Sequence, residues 1–203
     1  MKLLSGLLFF LIACAFAPTG ENPVLLHRFI VLPSSTLTID GSTNVNSFRC
    51  GISKYIGNDT LILQEGKTIR KPIFLKGRVA LKASQFDCGM QVMTKDFNET
   101  IKSKEHPYII IDFKSFERVP NYAKGEEKFK GTMTISLGGT TKQFSVDCSI
   151  QPTSSGLIHL KGGRKFMFSD FNLTPPEKMM GLIRIEQELT VHFNLVLQLD
   201  GNT

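Results

Sequence analysis

From Leu189 the chain places an apolar residue at every second position, Leu189, Val191, Phe193, Leu195, Leu197 and Leu199, with Thr190, His192, Asn194 and Gln198 between them. Successive side chains of a strand point to opposite faces, so this segment reads as a half-buried strand with one apolar face. A helix would scatter the same leucines around its axis. Only Val196 breaks the alternation. Just upstream, Pro175-Pro176 cannot continue a sheet ladder or a helix interior, because neither residue has an N–H to donate and both have a fixed φ. The chain must leave the sheet there and re-enter it as a closing strand.

The same period recurs along the chain. Leu37 and Ile39 alternate with Thr38 and Asp40, and after the turn residues from Gly41 to Asn46, Phe48, Cys50 and Ile52 share a face. Leu61 and Leu63 mark a short strand, residues 74–84 another with Val79, Leu81 and Ala83 in phase, and residues 108–117 a third with Ile109, Ile111 and Phe113 in phase. The clearest hairpin has Met133, Ile135 and Leu137 running up to Gly138-Gly139, then Phe144, Val146, Cys148 and Ile150 running away from it. Residues 157–168 add a strand whose Gly162-Gly163 pair suits a bulge or bend that lets a sheet curl. Against these, Met90, Met93, Phe97 and Ile101 recur at helical spacing with no Gly or Pro between them. The count is about eight strands and one short amphipathic helix, the pattern of an antiparallel barrel or sandwich.

Three strings give this pattern a name. Asp170-Phe171-Asn172-Leu173-Thr174-Pro175-Pro176, followed by Met179-Met180-Gly181 and the alternating strand, resembles the C-terminal signature of the YceI-like family. Gly41-Ser-Thr-Asn-Val-Asn-Ser-Phe48 is similar to that family's N-terminal motif. Met93 to Phe97, Ile101-Lys102 and His106-Pro107-Tyr108-Ile109 are similar to its middle segment, where members often carry Tyr at the place of His106. The resemblance implies an all-β fold, an antiparallel eight-stranded lipocalin-like barrel. It also implies a lumen that holds a polyisoprenoid or similar amphiphilic lipid, with no enzymatic activity and no cofactor.

The phase of the strands points Phe48, Val79, Leu81, Ile109, Ile111, Phe113, Met133, Ile135, Phe144, Val146, Phe166, Phe168, Val191, Phe193 and Leu195 inward, as candidates for contact with a lipid chain. Periodicity alone does not separate a lined tunnel from a packed core, since an eight-stranded barrel can do either. The second reading is a membrane-anchored interaction module with a filled barrel and no ligand. Sixteen phenylalanines beside three tyrosines and no tryptophan fit both, because phenylalanine fills space without a polar handle.

Charge excludes one class of partner. The net charge of +6 is spread among acids, and the densest basic run, Lys67 to Arg78, lacks the interleaved aromatic residues of a nucleic-acid platform. The positive balance suits peripheral contact with an anionic membrane. Residues 1–17 begin with Lys2, continue apolar from Leu7 to Ile12 and end in small residues, the layout of a signal peptide. Two processing routes stand open: cleavage after Ala15-Phe16-Ala17, or lipidation at Cys14 of the lipobox-like Leu11-Ile12-Ala13-Cys14. The organisation expected is a signal peptide at 1–17, a linker at 18–34 and a barrel at 35–200, exported to a periplasm or lipid-anchored at a bacterial membrane.

Beyond the leader stand Cys50, Cys88 and Cys148, enough for one internal disulfide. If residues 46–54 pair with the strand beginning near Phe74, Cys50 and Cys88 come opposite each other. Cys148, in phase with Val146 and Ile150, faces the interior as a small hydrophobe. No cysteine or histidine spacing suits a metal, and His27, His106, His159 and His192 are far apart. Asp170 and Glu177 flank the Pro-Pro loop, where capping explains them better than acid–base work.

Overall fold

The computed structural model describes residues 24–52, 54–66, 71–122, 125–178 and 182–201. In chain order these form β1 (Val24–Val31), β2 (Thr36–Thr43), β3 (Ser47–Ile52), β4 (Thr60–Gly66), β5 (Ile73–Lys76), β6 (Arg78–Lys82), α1 (Gln91–Thr100) and β7 (Tyr108–Phe116). There follow β8 (Glu127–Leu137), β9 (Thr140–Pro152), β10 (Leu157–Met167), β11 (Glu177–Lys178) and β12 (Ile183–Leu199). The signal-peptide layout, Cys14 and Met179-Met180-Gly181 lie outside the described residues.

Eight antiparallel strands close a ring in the order β1, β4, β5, β7, β8, β9, β10, β12, with β12 returning to β1 through Phe29↔Leu199 and Val31↔Leu197. The chain thus forms the antiparallel barrel that its alternation predicts, with α1 as the one α-helix among the described residues. Strand β12 is long enough to serve two partners. Its last residues pair with β1, whereas from Ile185 to Asn194 it pairs with β2, which in turn pairs with β3. At that upper end, where the β8–β9 turn and α1 also lie, β2 and β3 replace β1 and β4 as the wall. The wall continues from β3 to the segment after β6 by a single bridge, Gly51↔Asp87, and by the Cys50–Cys88 disulfide.

Gly77 makes a matching switch on the opposite side. The single strand expected at 74–84 is split there into β5, which joins β4 to β7, and β6, which pairs only with β7. A Cβ at Gly77 would come within 1.9 Å of the Phe113 carbonyl oxygen, and the Phe113 N–H donates to the Gly77 carbonyl at 2.9 Å. Only glycine permits so close an approach of two backbones.

Two expectations are corrected. Residues 24–31, assigned to a linker, form β1, the strand that closes the ring. Its first residues are exposed, and only Phe29 and Val31 bury side chains, so the alternation was too short to stand out. Residues 46–54 pair with β2 and not with the strand near Phe74. The two cysteines meet through the local bridge at Asp87 instead.

The lower half of the barrel is packed with aromatic rings. Phe74 meets Phe116 edge-on at 4.9 Å, Phe116 meets Phe129 at 4.6 Å, and Phe29, Val31, Leu61 and Leu63 fill the space between the sheets. Val196, the break in the alternation, faces outward yet is buried, because residues 32–35 fold over it. Its N–H donates to Ser35 Oγ at 2.9 Å and its carbonyl accepts from Leu32 N–H at 2.8 Å. Gly162 and Gly163 produce no bulge in β10, whose ladder with β12 runs without a register shift. They make room for rings: a Cβ at Gly162 would lie 2.3 Å from Phe193 Cζ, and one at Gly163 would lie 2.6 Å from His192 Nδ1.

Candidate functional site

Where β2 and β3 take over the wall, the barrel is no longer full. A cavity of about 360 Å³ opens there, within the roughly 300–1,000 Å³ range of small-molecule sites. Its walls are Ile39 and Phe48 from the β2–β3 hairpin, Ile109 and Ile111 from β7, Ile135 and Leu137 from β8, and Ile183, Ile185, Leu189 and Val191 from β12. Phe166 of β10, with Phe168 and Phe171 of the 3₁₀ turn that follows it, closes one side as a cluster packed with Phe144.

Helix α1 roofs the cavity. It starts where Gly89, at φ +78°, turns the chain away from the sheet, and Asp87 Oδ1 accepts the Gly89 N–H at 2.8 Å. Thr94 Oγ1 accepts the Cys88 N–H at 3.1 Å and ties the first turn back to the disulfide. Met93, Phe97 and Ile101 recur every four residues and face the cavity, with Phe97 stacked against the buried Phe86 at 5.0 Å. Lys95 and Glu99, on the other face, are solvent-exposed and 3.8 Å apart.

Below the cavity lies a ring pair. Phe193 of β12 and Phe113 of β7 meet edge-to-face across the lumen at 5.8 Å, above a residual space of only about 10 Å³. Leu37 and Ile111 border both spaces and so mark the boundary.

The fifteen inward candidates therefore divide. Phe48, Ile109, Ile111, Ile135, Phe166, Phe168 and Val191 line the cavity. Val79, Leu81, Phe113, Phe193 and Leu195 are buried around the residual space below it, and Met133, Phe144 and Val146 are buried in the surrounding core. None of those eight lines the cavity. Phase in a strand reports the face of the sheet, and both halves of a barrel share one inner face. Sequence reasoning missed the wall from Ile39, Leu137, Ile183 and Ile185, and the roof from Met93 and Phe97. Ile39 and Leu137 belonged to recognised strands; that they line one cavity with residues of α1 is set by the tertiary structure.

Polar groups are few. Thr43, Asn46, Asp96 and Thr100 are the polar side chains of the described lining. Cys50 lies in the wall as half of the disulfide, and Cys148 lies elsewhere, in the core. Asp170 is not paired with Glu177; it accepts the Met167 N–H at 2.9 Å and sits 3.7 Å from Lys142 Nζ, a loop-capping arrangement. Around the mouth, Val45, Met90 and Val92 are exposed while also lining the cavity, and Leu182, hydrogen-bonded through its carbonyl to Asn44, is exposed beside them. No helix among the described residues is long and apolar enough to cross a membrane.

No family model matches the chain, and no curated protein matches it. Solved structures do. The chain is similar to a polyisoprenoid-binding domain from Saccharophagus degradans implicated in plant cell wall breakdown, at 12% identity and a TM-score of 0.61 over 87% of this chain and 100% of that one. It is similar to BcnA of Burkholderia cenocepacia at 16% identity and a TM-score of 0.57, over 82% of this chain and 98% of that one. A mutant Campylobacter jejuni YceI protein with a monobromobimane guest gives 18% identity and a TM-score of 0.51, over 70% and 81% of the two chains. At such identities the likeness is one of fold: the chain has the YceI-like barrel fold.

Proposed function

We propose that this protein is an exported, non-enzymatic binding protein that takes an isoprenoid-type or similar amphiphilic lipid into the upper cavity. The observation that carries the reading is an open, almost wholly apolar space of about 360 Å³ above a ring pair beneath which only about 10 Å³ is left. A barrel needing only stability would fill both halves, since interiors are close-packed and voids forfeit contacts. An apolar chain supplies the missing contacts at about 0.8 kcal/mol per buried CH₂, less the cost of ordering it.

The fold shared with a domain named for polyisoprenoid binding supports the same reading. So does the mouth, where Val45, Met90, Val92 and Leu182 present apolar side chains to solvent around the entrance. Such a rim suits contact with a bilayer, across which a chain could pass without crossing water. The signal-peptide layout of residues 1–17 supports export.

Native mass spectrometry of the protein purified from its own host, followed by solvent extraction, tests this. A co-purifying mass that partitions into organic solvent as a lipid is the expected result. No bound lipid, together with no uptake of an added isoprenol, overturns the proposal.

A further inference from the structure

We infer that the cavity limits the length of the chain it holds: it seats about three isoprene units, and Leu37, Ile111, Phe113 and Phe193 stop a longer chain from passing down the lumen. The inference rests on the reading of the cavity as a lipid site and goes on to the length of the chain.

The inner face of a barrel is continuous along its strands, so a ligand tunnel could run its whole height. Among the described residues the open space ends part-way. The cavity, at about 360 Å³, is near the lower end of the roughly 300–1,000 Å³ of small-molecule sites. Across Leu37 and Ile111, which border both spaces, there is room for only about 10 Å³, no more than a single water molecule takes. Phe113 and Phe193 line that smaller space, 5.8 Å apart and edge to face, and both are buried.

Both rings are held from behind. The Phe113 N–H donates to the Gly77 carbonyl at 2.9 Å, which ties its backbone to the break between β5 and β6. Its ring is backed by Phe74 at 5.6 Å, and Phe74 by Phe116 at 4.9 Å. Phe193 lies over Gly162, where a Cβ would come 2.3 Å from Cζ, so the ring occupies the place that a side chain at 162 would fill. Interiors packed in this way have low compressibility, and a ring can yield only if its neighbours move with it. A chain longer than the cavity therefore keeps its remaining units at the mouth, where Val45, Met90 and Val92 are exposed, and gains nothing from them inside. Affinity rises with each unit until the cavity is full and then levels off.

The test measures binding of geraniol, farnesol, geranylgeraniol and geranylfarnesol, which lengthen one isoprene unit at a time, to the full-length protein. Farnesol should bind at least about tenfold more tightly than geraniol, and the two longer alcohols within about threefold of farnesol. Ile111→Ala and Phe193→Ala should lengthen the usable space, so that geranylgeraniol gains at least about tenfold over farnesol. Phe129→Ala, which removes another buried ring that borders neither space, should leave the profile unchanged. Retention of farnesol shows that a variant still forms the cavity; if neither lengthening variant retains it, the profile of the unmodified protein decides alone. If affinity levels off already at geraniol or still climbs at geranylfarnesol, or if folded Ile111→Ala and Phe193→Ala keep the original profile, the inference falls while the lipid-site reading stands. If none of the alcohols binds the unmodified protein, that reading falls and takes this inference with it.

Discussion

Cys148 lies against Gly131, where an added Cβ would come 3.2 Å from Sγ, and its thiol points at the Val146 carbonyl oxygen 3.5 Å away. Burial is the first cause that pushes this thiol from an ordinary value of 9.0 up to about 12, and Asp147 nearby adds to it. A thiol with that environment is a packing group, because only the thiolate is nucleophilic. A water-soluble thiol reagent near neutral pH should therefore leave Cys148 unmodified in the native protein and label it once the protein is unfolded, as mass spectrometry can read. The sign of the pH effect follows. Between pH 9.0 and about 12 the unfolded chain releases the proton that the folded chain keeps, so this contribution to stability is whole below 9.0 and lost as pH rises toward 12. Tyr55 and Tyr122, raised above 10.0 mainly by burial, act in the same direction. Denaturation midpoints measured across that window should fall, and Cys148→Ala should make the fall shallower.

The β8–β9 hairpin shows how an element is fixed by its turn. Gly138 and Gly139 take φ +56° and +84°, the left-handed conformations that match the twist of two paired strands. The turn is also held from outside: a Cβ on Gly138 would come 2.9 Å from Leu173 Cδ2, and one on Gly139 would come 2.6 Å from His106 Nε2. His106 thus packs the end of the α1–β7 connection onto the turn, and Leu173 brings in the loop before Pro175-Pro176. Gly139→Val combines a disfavoured φ with a clash and should cost about 1–3 kcal/mol, measured as a lower denaturation midpoint. Such hairpins are legible in a sequence because their information is local. The β2–β3 hairpin was legible for the same reason, but its neighbour across the gap was not. Gly51↔Asp87 is a single bridge between segments with no shared pattern. The alignment of residues 46–54 with the strand near Phe74, from which the Cys50–Cys88 pairing was expected, does not form, and the two cysteines meet through this bridge instead.

At the scale of the whole molecule, one strand with two partners creates the cavity. Strand β12 gives its end to β1 and its beginning to β2, while the break at Gly77 lets β5 and β6 follow different parts of the wall. The lower half then fills with phenylalanine, and the upper half keeps a space under α1. Two substitutions should separate the halves. Phe113→Ala removes a fully buried ring from below the cavity and should cost about 3–5 kcal/mol of stability. Ile135→Trp, pointing into open space, should leave the denaturation midpoint within about 1 kcal/mol of the original while abolishing uptake of an isoprenol. Equal loss of stability from both would mean that the upper space is not open to a ligand.

Alternation by itself determined that this chain is built of antiparallel strands, which residues share their inner face, and where α1 interrupts them, since each of these depends on neighbours two to four residues apart; that the strands close a barrel was what the family resemblance implied. Tertiary structure alone decided that Val191 meets open space while Phe193 and Leu195, on the same face of the same strand, meet other side chains. An inward-facing position has the same sequence signature whether its neighbour is a cavity or a ring from the opposite wall. The difference comes from where β12 changes partner, and from the Phe113–Phe193 contact that spans the lumen.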